Sequence, residues 1–262
     1  MLSVQNPALT TELAQIDERS DRYRMRMARN ARDVDAVLKL RFDVFNLELG
    51  EGLDSAYAQM RDRDRFDAHC HHLLVEDLAS GAVIGTYRLI PFDVAEESGF
   101  YSADEFCLDE FPMHVVEQSI ELGRACIAAA HRNTRVLYLL WLGLARYMQA
   151  TQSRYFFGCC SLTSQSPADG YAVAEYLEAG GYRSDKFTVS VQPEYQLPSA
   201  AATAPARARV PKLMRLYLQY GARIVSEPAI DRRFKTIDYL ALLDIEALDS
   251  RSRRMFGLET QA

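Results

Sequence analysis

Glu121 and Arg124 set an acid and an arginine three residues apart at the end of an expected strand, with Gly123 between them. A carboxylate placed there takes up a proton or holds a salt bridge, and a guanidinium grips a carboxylate through its planar fork. Residues three apart on a regular strand face opposite sides. The pair therefore shares a cleft only if the chain bulges or turns out, with the strand expected to end at or just after Gly123. Arg41, Phe45, Asp64, Asp67 and Arg88 lie upstream, in an order that reads as the charged floor of such a cleft.

Those residues need a scaffold. Tyr23, Met25 and Met27 alternate with arginines, the period of a half-buried strand. A helix is expected over 31–49, where Val34, Val37, Leu38, Arg41, Val44 and Phe45 recur at helical spacing, with Gly50 as its stop. Arg41 thus falls on an apolar stripe. Residues 54–67 read as a charged loop. Strands at 71–77 and 82–91 around Ala79-Ser80-Gly81 make an antiparallel hairpin, and a short helix follows over 102–111. Further strands are expected at 116–123, 154–160, 187–191 and 237–243. Further helices are expected at 134–149, capped by Asn133 or Thr134, and at 169–177, 212–220 and near 256. A hairpin followed by alternating helices and strands means a mixed α/β sheet with helices on its faces. Residues 1–20 are expected to be a flexible segment and 21–262 one domain. Within it, 196–208 is a linker by composition, and 209–262 an extension packed on the core.

The chain has 262 residues, 48% of them hydrophobic and 25% charged, enough for a sizeable core. A net charge of -6 argues against general nucleic-acid binding. Of the 30 basic residues 26 are arginine, which suits an anionic partner or reflects coding bias. Five cysteines without metal-site spacing fit a reducing cytoplasm, and the first residues carry no secretory pattern. The longest apolar run, 136–145, is too short to span a bilayer. No metal is expected. The His71-His72 pair near Cys70 points to opposite strand faces and shows no acid partner in the sequence.

The order of elements resembles the GNAT N-acetyltransferase fold. Arg41-x-x-x-Phe45, Asp64-x-x-Asp67, Arg88, Phe106 and Glu121-x-x-Arg124 resemble the charged set of acyl-homoserine-lactone synthases. A closer resemblance is to bacterial L-ornithine Nα-acyltransferases and long-chain N-acyl amino acid synthases. It rests on His72-Leu73-Leu74-Val75, Gly85-Thr86-Tyr87-Arg88-Leu89, Glu121-Leu122-Gly123-Arg124, Leu140-Trp141-x-Gly143 and Phe157-Gly158-Cys159. Leu216-x-x-x-x-Gly221-Ala222 and Asp231-x-x-Phe234-x-Thr236-x-Asp238 extend it over roughly residues 23–256. The resemblance implies a mostly antiparallel twisted sheet with helices on both faces. It also implies transfer of a fatty or 3-hydroxy fatty acyl group from acyl carrier protein to the α-amine of ornithine or another amino acid. No bound cofactor is implied, since the acyl donor rides on the phosphopantetheine of the carrier. The stretch 124–135 contains no glycine, unlike the pyrophosphate-holding turn of acetyl-CoA-using relatives, which ranks acyl-CoA below the carrier protein.

Under this resemblance Glu121 is the expected proton acceptor for the amine, or else a salt-bridge partner that pins Arg124. Arg88 is expected to pair with Asp64 or Asp67. That network shapes the acceptor pocket while Arg124 or Arg88 grips the substrate carboxylate, or it is purely structural. Arg41 joins it or snorkels at the surface. Phe45, Phe106 and Trp141 are core or acyl-pocket walls, and Tyr147 or Tyr171 could return a proton to the leaving thiolate. The basic clusters at 232–235 and 251–254 are solvated faces, or they touch the carrier protein or the inner membrane surface from the cytoplasmic side. The rival readings are a homoserine-lactone synthase and a non-catalytic acyl-chain or carrier-binding module.

Overall fold

The computed structural model describes residues 7–199, 209–255 and 257–258. In chain order the strands are β1 (Asp17–Arg19), β2 (Tyr23–Met27), β3 (His71–Asp77), β4 (Ala82–Pro91), β5 (Ser119–Ile127), β6 (Tyr155–Leu162), β7 (Arg223–Ile224), β8 (Ala229–Asp231) and β9 (Thr236–Asp244). The helices are α1 (Pro7–Ala14), α2 (Ala31–Phe42), α3 (Phe92–Ser98), α4 (Met113–Glu117), α5 (Thr134–Thr151), α6 (Pro167–Ala179), α7 (Lys212–Gln219) and α8 (Ser250–Met255). They build one α/β sheet in the order β1-β2-β3-β4-β5-β6-β9-β7, with β8 also paired to β9. Among the strand pairs of the described residues only β5 and β6 run parallel.

The apolar helix α5 lies across one face. Val136, Leu140, Leu144 and Tyr147 pack on Met25, Leu73, Val75, Tyr87, Leu89 and Ile120. Burial of this kind is worth about 1.5–3 kcal/mol per large side chain relative to exposure, so α5 is a principal source of sheet stability. Asn133 caps it by accepting from the amides of Arg135 and Val136. On the opposite face, α2 delivers Arg41 to the sheet. Beyond Phe42 the helix widens into a π-turn, Asp43–Glu48, before Gly50 turns out at φ +69°.

Several expected elements differ. Residues 7–19, within the segment expected to be flexible, form α1 and β1, with Leu13 and Ile16 buried in the α5 cluster. The 102–111 helix is two single 3₁₀ turns, Tyr101–Asp104 and Leu108–Glu110. Residues 187–191 make isolated bridges to Ser226 and Phe106 rather than a strand. Of the expected linker, 200–208 lies outside the described residues.

Strand β5 begins later than expected and runs through Gly123 to Ile127. Its β4 partners jump from Gly123↔Arg88 to Cys126↔Thr86, so Arg124 and Ala125 together oppose Tyr87. This is a β-bulge, and Arg124 itself carries the left-handed φ of +50°. Before the bulge Ile120 and Leu122 face α5; after it Ala125 and Ile127 do. Alternation therefore puts Glu121 and Gly123 on the other face, and the bulge keeps Arg124 with them.

Strands β5 and β6 stay paired only at Ser119↔Tyr155, Ile120↔Phe156 and Glu121↔Phe157, then part. At the vertex Gly158 lies against the Leu122 carbonyl. A Cβ there would stand 2.2 Å from that oxygen, a backbone atom that cannot step aside. Gly158→Ala is expected to cost about 1–3 kcal/mol in urea unfolding and to spread the strands.

Candidate active site

Arg41, Asp62, Arg124, Asp64, Arg88 and Asp67 close into a ring of alternating charge on the face opposite α5. Arg41 Nε donates to Asp62 at 2.8 Å and its Nη1 to Asp67 at 2.6 Å. Arg88 Nη1 donates to Asp64 at 2.6 Å and approaches Asp67 at 3.5 Å, so the pairing expected of Arg88 is made with both acids. Arg124 Nη2 donates to Asp64 at 3.1 Å, and its Nε stands 3.2 Å from Asp62 without hydrogen-bond alignment. The acids come from one short loop. Asp62 is tied to α2 through its amide on Leu38, and Asp64 and Asp67 form a reciprocal capping box. Aromatic faces complete the enclosure, with Tyr101 and Phe234 against the Arg124 guanidinium and Phe66 and Tyr101 against Arg88.

Arg41 and Asp62 have no exposed side-chain surface, so the ring is a buried set in which each charge needs its neighbour. Burial by itself raises the Asp67 carboxyl, but the attraction of Arg41 and Arg88 outweighs it and holds the group well below the usual range. Asp64 is lowered likewise, with Arg88 and Arg124 overcoming burial. A carboxylate depressed in the folded state adds stability above its unfolded pKa and loses it as the pH falls. The protein is accordingly expected to keep this contribution above the ordinary aspartate value of 3.8 and to lose it progressively below that value, read by urea unfolding between pH 6 and pH 2.5.

A cavity of about 190 Å³ adjoins the ring, lined by Asp64, Arg124, Tyr101, Phe66, Arg63, Arg65, Arg233, Tyr195, Asp104, Glu105 and Asp231. A larger and more open depression of about 570 Å³ lies along α5 between Glu18, Arg135, Arg146 and Arg254, and touches no ring residue. The smaller cavity is the one that the ring residues Asp64 and Arg124 enter.

Glu121 does not line that cavity; it is linked to it through Tyr101, which does. Its two oxygens accept from the amides of Tyr101 and Ser102, each at 2.7 Å, and only 2% of the residue is exposed. Burial raises its pKa, opposed by the Ser102 side chain and amide, by Arg88 and by the Tyr101 amide. The salt bridge with Arg124 considered above is not made; the guanidinium pairs with Asp62 and Asp64 instead. The expected acyl-pocket residues fall into separate clusters. Phe45 packs on Phe234, Phe106 among Phe66, Phe100 and Ile90, and Trp141 against Tyr217 and Tyr220. Tyr147 is buried in the α5 cluster with its hydroxyl 2.6 Å from His71, and the Tyr171 hydroxyl donates to the Leu197 carbonyl. The acid partner of His72 that the sequence hid is Asp67, 4.0 Å away, while Cys70 Sγ lies 3.5 Å from the same ring. Burial pushes the Cys70 thiol up to about 12 and His72 down to about 4, so the pair is neutral and not an activated nucleophile.

Residues 40–142 match the family model described as an acetyltransferase (GNAT) domain. The chain is 34% identical over 248 residues to the L-ornithine N(alpha)-acyltransferase of Rhizobium meliloti (strain 1021), covering 89% of this chain and 84% of that protein. It is also 34% identical to the protein of the same name from Brucella abortus (strain 2308), over 90% and 89% of the two chains. The chain belongs to the L-ornithine N(alpha)-acyltransferase family. Among solved structures, the acyl-homoserine-lactone synthase LasI superposes with a TM-score of 0.52 at 11% identity, over 93% of this chain and 98% of that one. FeeM, an N-acyl amino acid synthase from uncultured soil microbes, gives 0.54 at 9%, over 87% and 95%. At such identities the likeness is one of fold.

Three residues of the ring and cavity, Asp62, Tyr101 and Glu105, were not singled out in the sequence, and Asp231 and Asp238 stood there only as positions of a motif. Asp62 repeats the alternation of Asp64 in Asp62-Arg63-Asp64, a signal that the charged loop obscured. Asp231 ends β8 and Asp238 lies in β9 opposite Ala229, so a hairpin brings them together. Glu105 reaches them from a loop more than a hundred residues earlier.

Proposed function

We propose that the chain transfers a fatty or 3-hydroxy fatty acyl group from acyl carrier protein to the α-amine of ornithine, forming a lyso-ornithine lipid. The observation that carries this reading is the cavity beside the ring, which opposes arginines to carboxylates as a zwitterionic amino acid requires. The names of the relatives supply the acceptor, ornithine. The parting of β5 and β6 leaves backbone edges free for an extended pantetheine arm.

In the reaction the amine nitrogen attacks the thioester carbonyl, the C–N bond forms, the C–S bond breaks with its electron pair on the pantetheine sulfur, and the amine proton leaves, in net terms for that thiolate. Glu121 takes that proton through water. Its amide contacts use two of about four lone-pair sites on the carboxylate, and its raised pKa favours uptake. Arg63 and Arg233, exposed on the cavity wall, grip the acceptor carboxylate. The donor is the carrier protein rather than CoA, because the first amides of α5 are already capped by Asn133 and no glycine turn precedes it. Among the described residues no helix is long and apolar enough to cross a membrane. The basic residues Arg232 and Arg251 are exposed and suit peripheral contact with an anionic bilayer on the cytoplasmic side.

Purified protein incubated with 3-hydroxyacyl carrier protein and ornithine is expected to yield the amide by mass spectrometry, with much less from the matching acyl-CoA. A lactone from S-adenosylmethionine, or no amide from any amino acid, contradicts the proposal.

A further inference from the structure

The ring balances its charges internally; a second group of buried acids does not. Carboxylate oxygens of Glu105, Asp231 and Asp238 all lie within 4.8 Å of one another, and all three residues are buried. Among the described residues no lysine or arginine forms an ion pair with any of them. Asp231 is held in place: one oxygen accepts from the amides of Arg233 and Phe234 at 2.7 and 2.9 Å, the other from the Tyr101 hydroxyl at 3.3 Å. One oxygen of Asp238 accepts from Thr236 at 2.8 Å. Of the other three oxygens, Glu105 Oε2 and Asp238 Oδ1 are sealed from solvent with no hydrogen-bond partner, on residues that are each 2% exposed.

Unpaired buried acceptors are costly and call for a donor. Burial, then the crowding of like charges, holds Glu105 well above the ordinary glutamate range, and burial lifts Asp238 to about 6. Glu105 and Asp231 lie on the wall of the same cavity that Arg124 and Asp64 enter, so whatever satisfies the trio arrives through that cavity. A primary ammonium carries three donors and one positive charge, which matches three convergent carboxylates.

We infer that Glu105, Asp231 and Asp238 form the subsite for a side-chain ammonium of the acceptor, so that the enzyme selects a diamino acid over its uncharged isostere. The inference rests on the acyl-transfer reading above. With the δ-ammonium seated on the trio and the carboxylate on the arginines, the α-amine is the nitrogen left for the thioester. The ring sets the shape of the cavity, and the trio sets which amino acid fills it.

The test compares ornithine with 2-aminopentanoic acid, the same carbon chain without the δ-amine, using 3-hydroxyacyl carrier protein and the full chain. The expected kcat/KM ratio is about 100 or more in favour of ornithine, since a site built to bond a polar group rejects the analogue lacking it. Glu105→Gln and Asp238→Asn keep shape while removing charge, and each is expected to bring the ratio below about 10. Both variants should melt no lower than the parent, because each relieves like-charge crowding. Equal losses on both substrates, or a parent enzyme that does not discriminate, overturns the inference while leaving acyl transfer intact. Activity abolished by a chelator and restored by Mg²⁺, Mn²⁺ or Ca²⁺ bound one per chain, with binding lost in both variants, overturns it in favour of a metal site. Thermal stabilisation by ornithine, absent with 2-aminopentanoic acid and in both variants, reads the subsite without turnover. Seen with no product from any amino acid, it supports the subsite and sinks the acyl-transfer reading.

Discussion

Asp62→Asn is expected to destabilise the protein by about 3–5 kcal/mol, the cost of leaving a buried charge without its partner. Asp62 has no exposed side-chain surface and stands between two guanidiniums, with Arg41 Nε at 2.8 Å and Arg124 Nε at 3.2 Å. Asparagine keeps the shape but leaves the ring with three arginines against two aspartates. Urea unfolding measures the loss. The double variant Asp62→Asn, Arg41→Met restores equal numbers of the two charges and is expected to recover part of it, so that the two effects do not add. A single variant within about 0.5 kcal/mol of the parent would mean that the ring is hydrated in solution and does not behave as a closed buried set.

Glu121→Gln is expected to lower turnover by about two orders of magnitude or more, with carrier-protein binding retained. Two effects act together. The proton acceptor is lost, and an amide NH₂ now faces the Tyr101 or Ser102 amide, donor against donor, where a carboxylate oxygen accepted from each. The pH profile separates them. In the parent, kcat/KM should fall on the acid side with a midpoint above the ordinary glutamate value of 4.5, because burial raises this group. A proton-accepting Glu121 predicts that the variant loses this limb. An anchor for the 101–102 turn alone predicts a variant with higher KM and the same limb.

Much of the scaffold was legible because its signals are strong and local. The hairpin β3–β4 folds around a turn whose Gly81 has φ +70°, and α5 carries a long apolar run behind a capping asparagine. Strands β1, β7 and β8 are two or three residues long and owe their existence to the neighbours they pair with, so no periodicity could betray them. The distortion demanded by Glu121 and Arg124 was foreseeable; its place was not. Gly123 drew attention as the flexible residue, yet Arg124 takes the left-handed backbone, held there by its bonds to Asp64 and its contacts with Tyr101 and Phe234.

The site was half visible for the same reason. Arg41 and Arg88 betrayed themselves as charges on apolar stripes, and Asp64 and Asp67 as the acids that follow. Asp62 sat in a run of alternating charge that reads as a solvated loop. Glu105, Asp231 and Asp238 are distant in sequence, and only folding shows that three acids converge without a cation. Phe45, Phe106 and Trp141 were legible as packing aromatics, but which cluster each joins is decided by tertiary packing.

The most direct test is to find which nitrogen of ornithine carries the acyl chain, by NMR of the amide made from 3-hydroxyacyl carrier protein and ornithine labelled with ¹⁵N at the α position. The account predicts acylation at the labelled nitrogen with the δ-amine free. Acylation at the δ-amine would contradict it, because the two ends of the acceptor would then lie the other way round in the cavity.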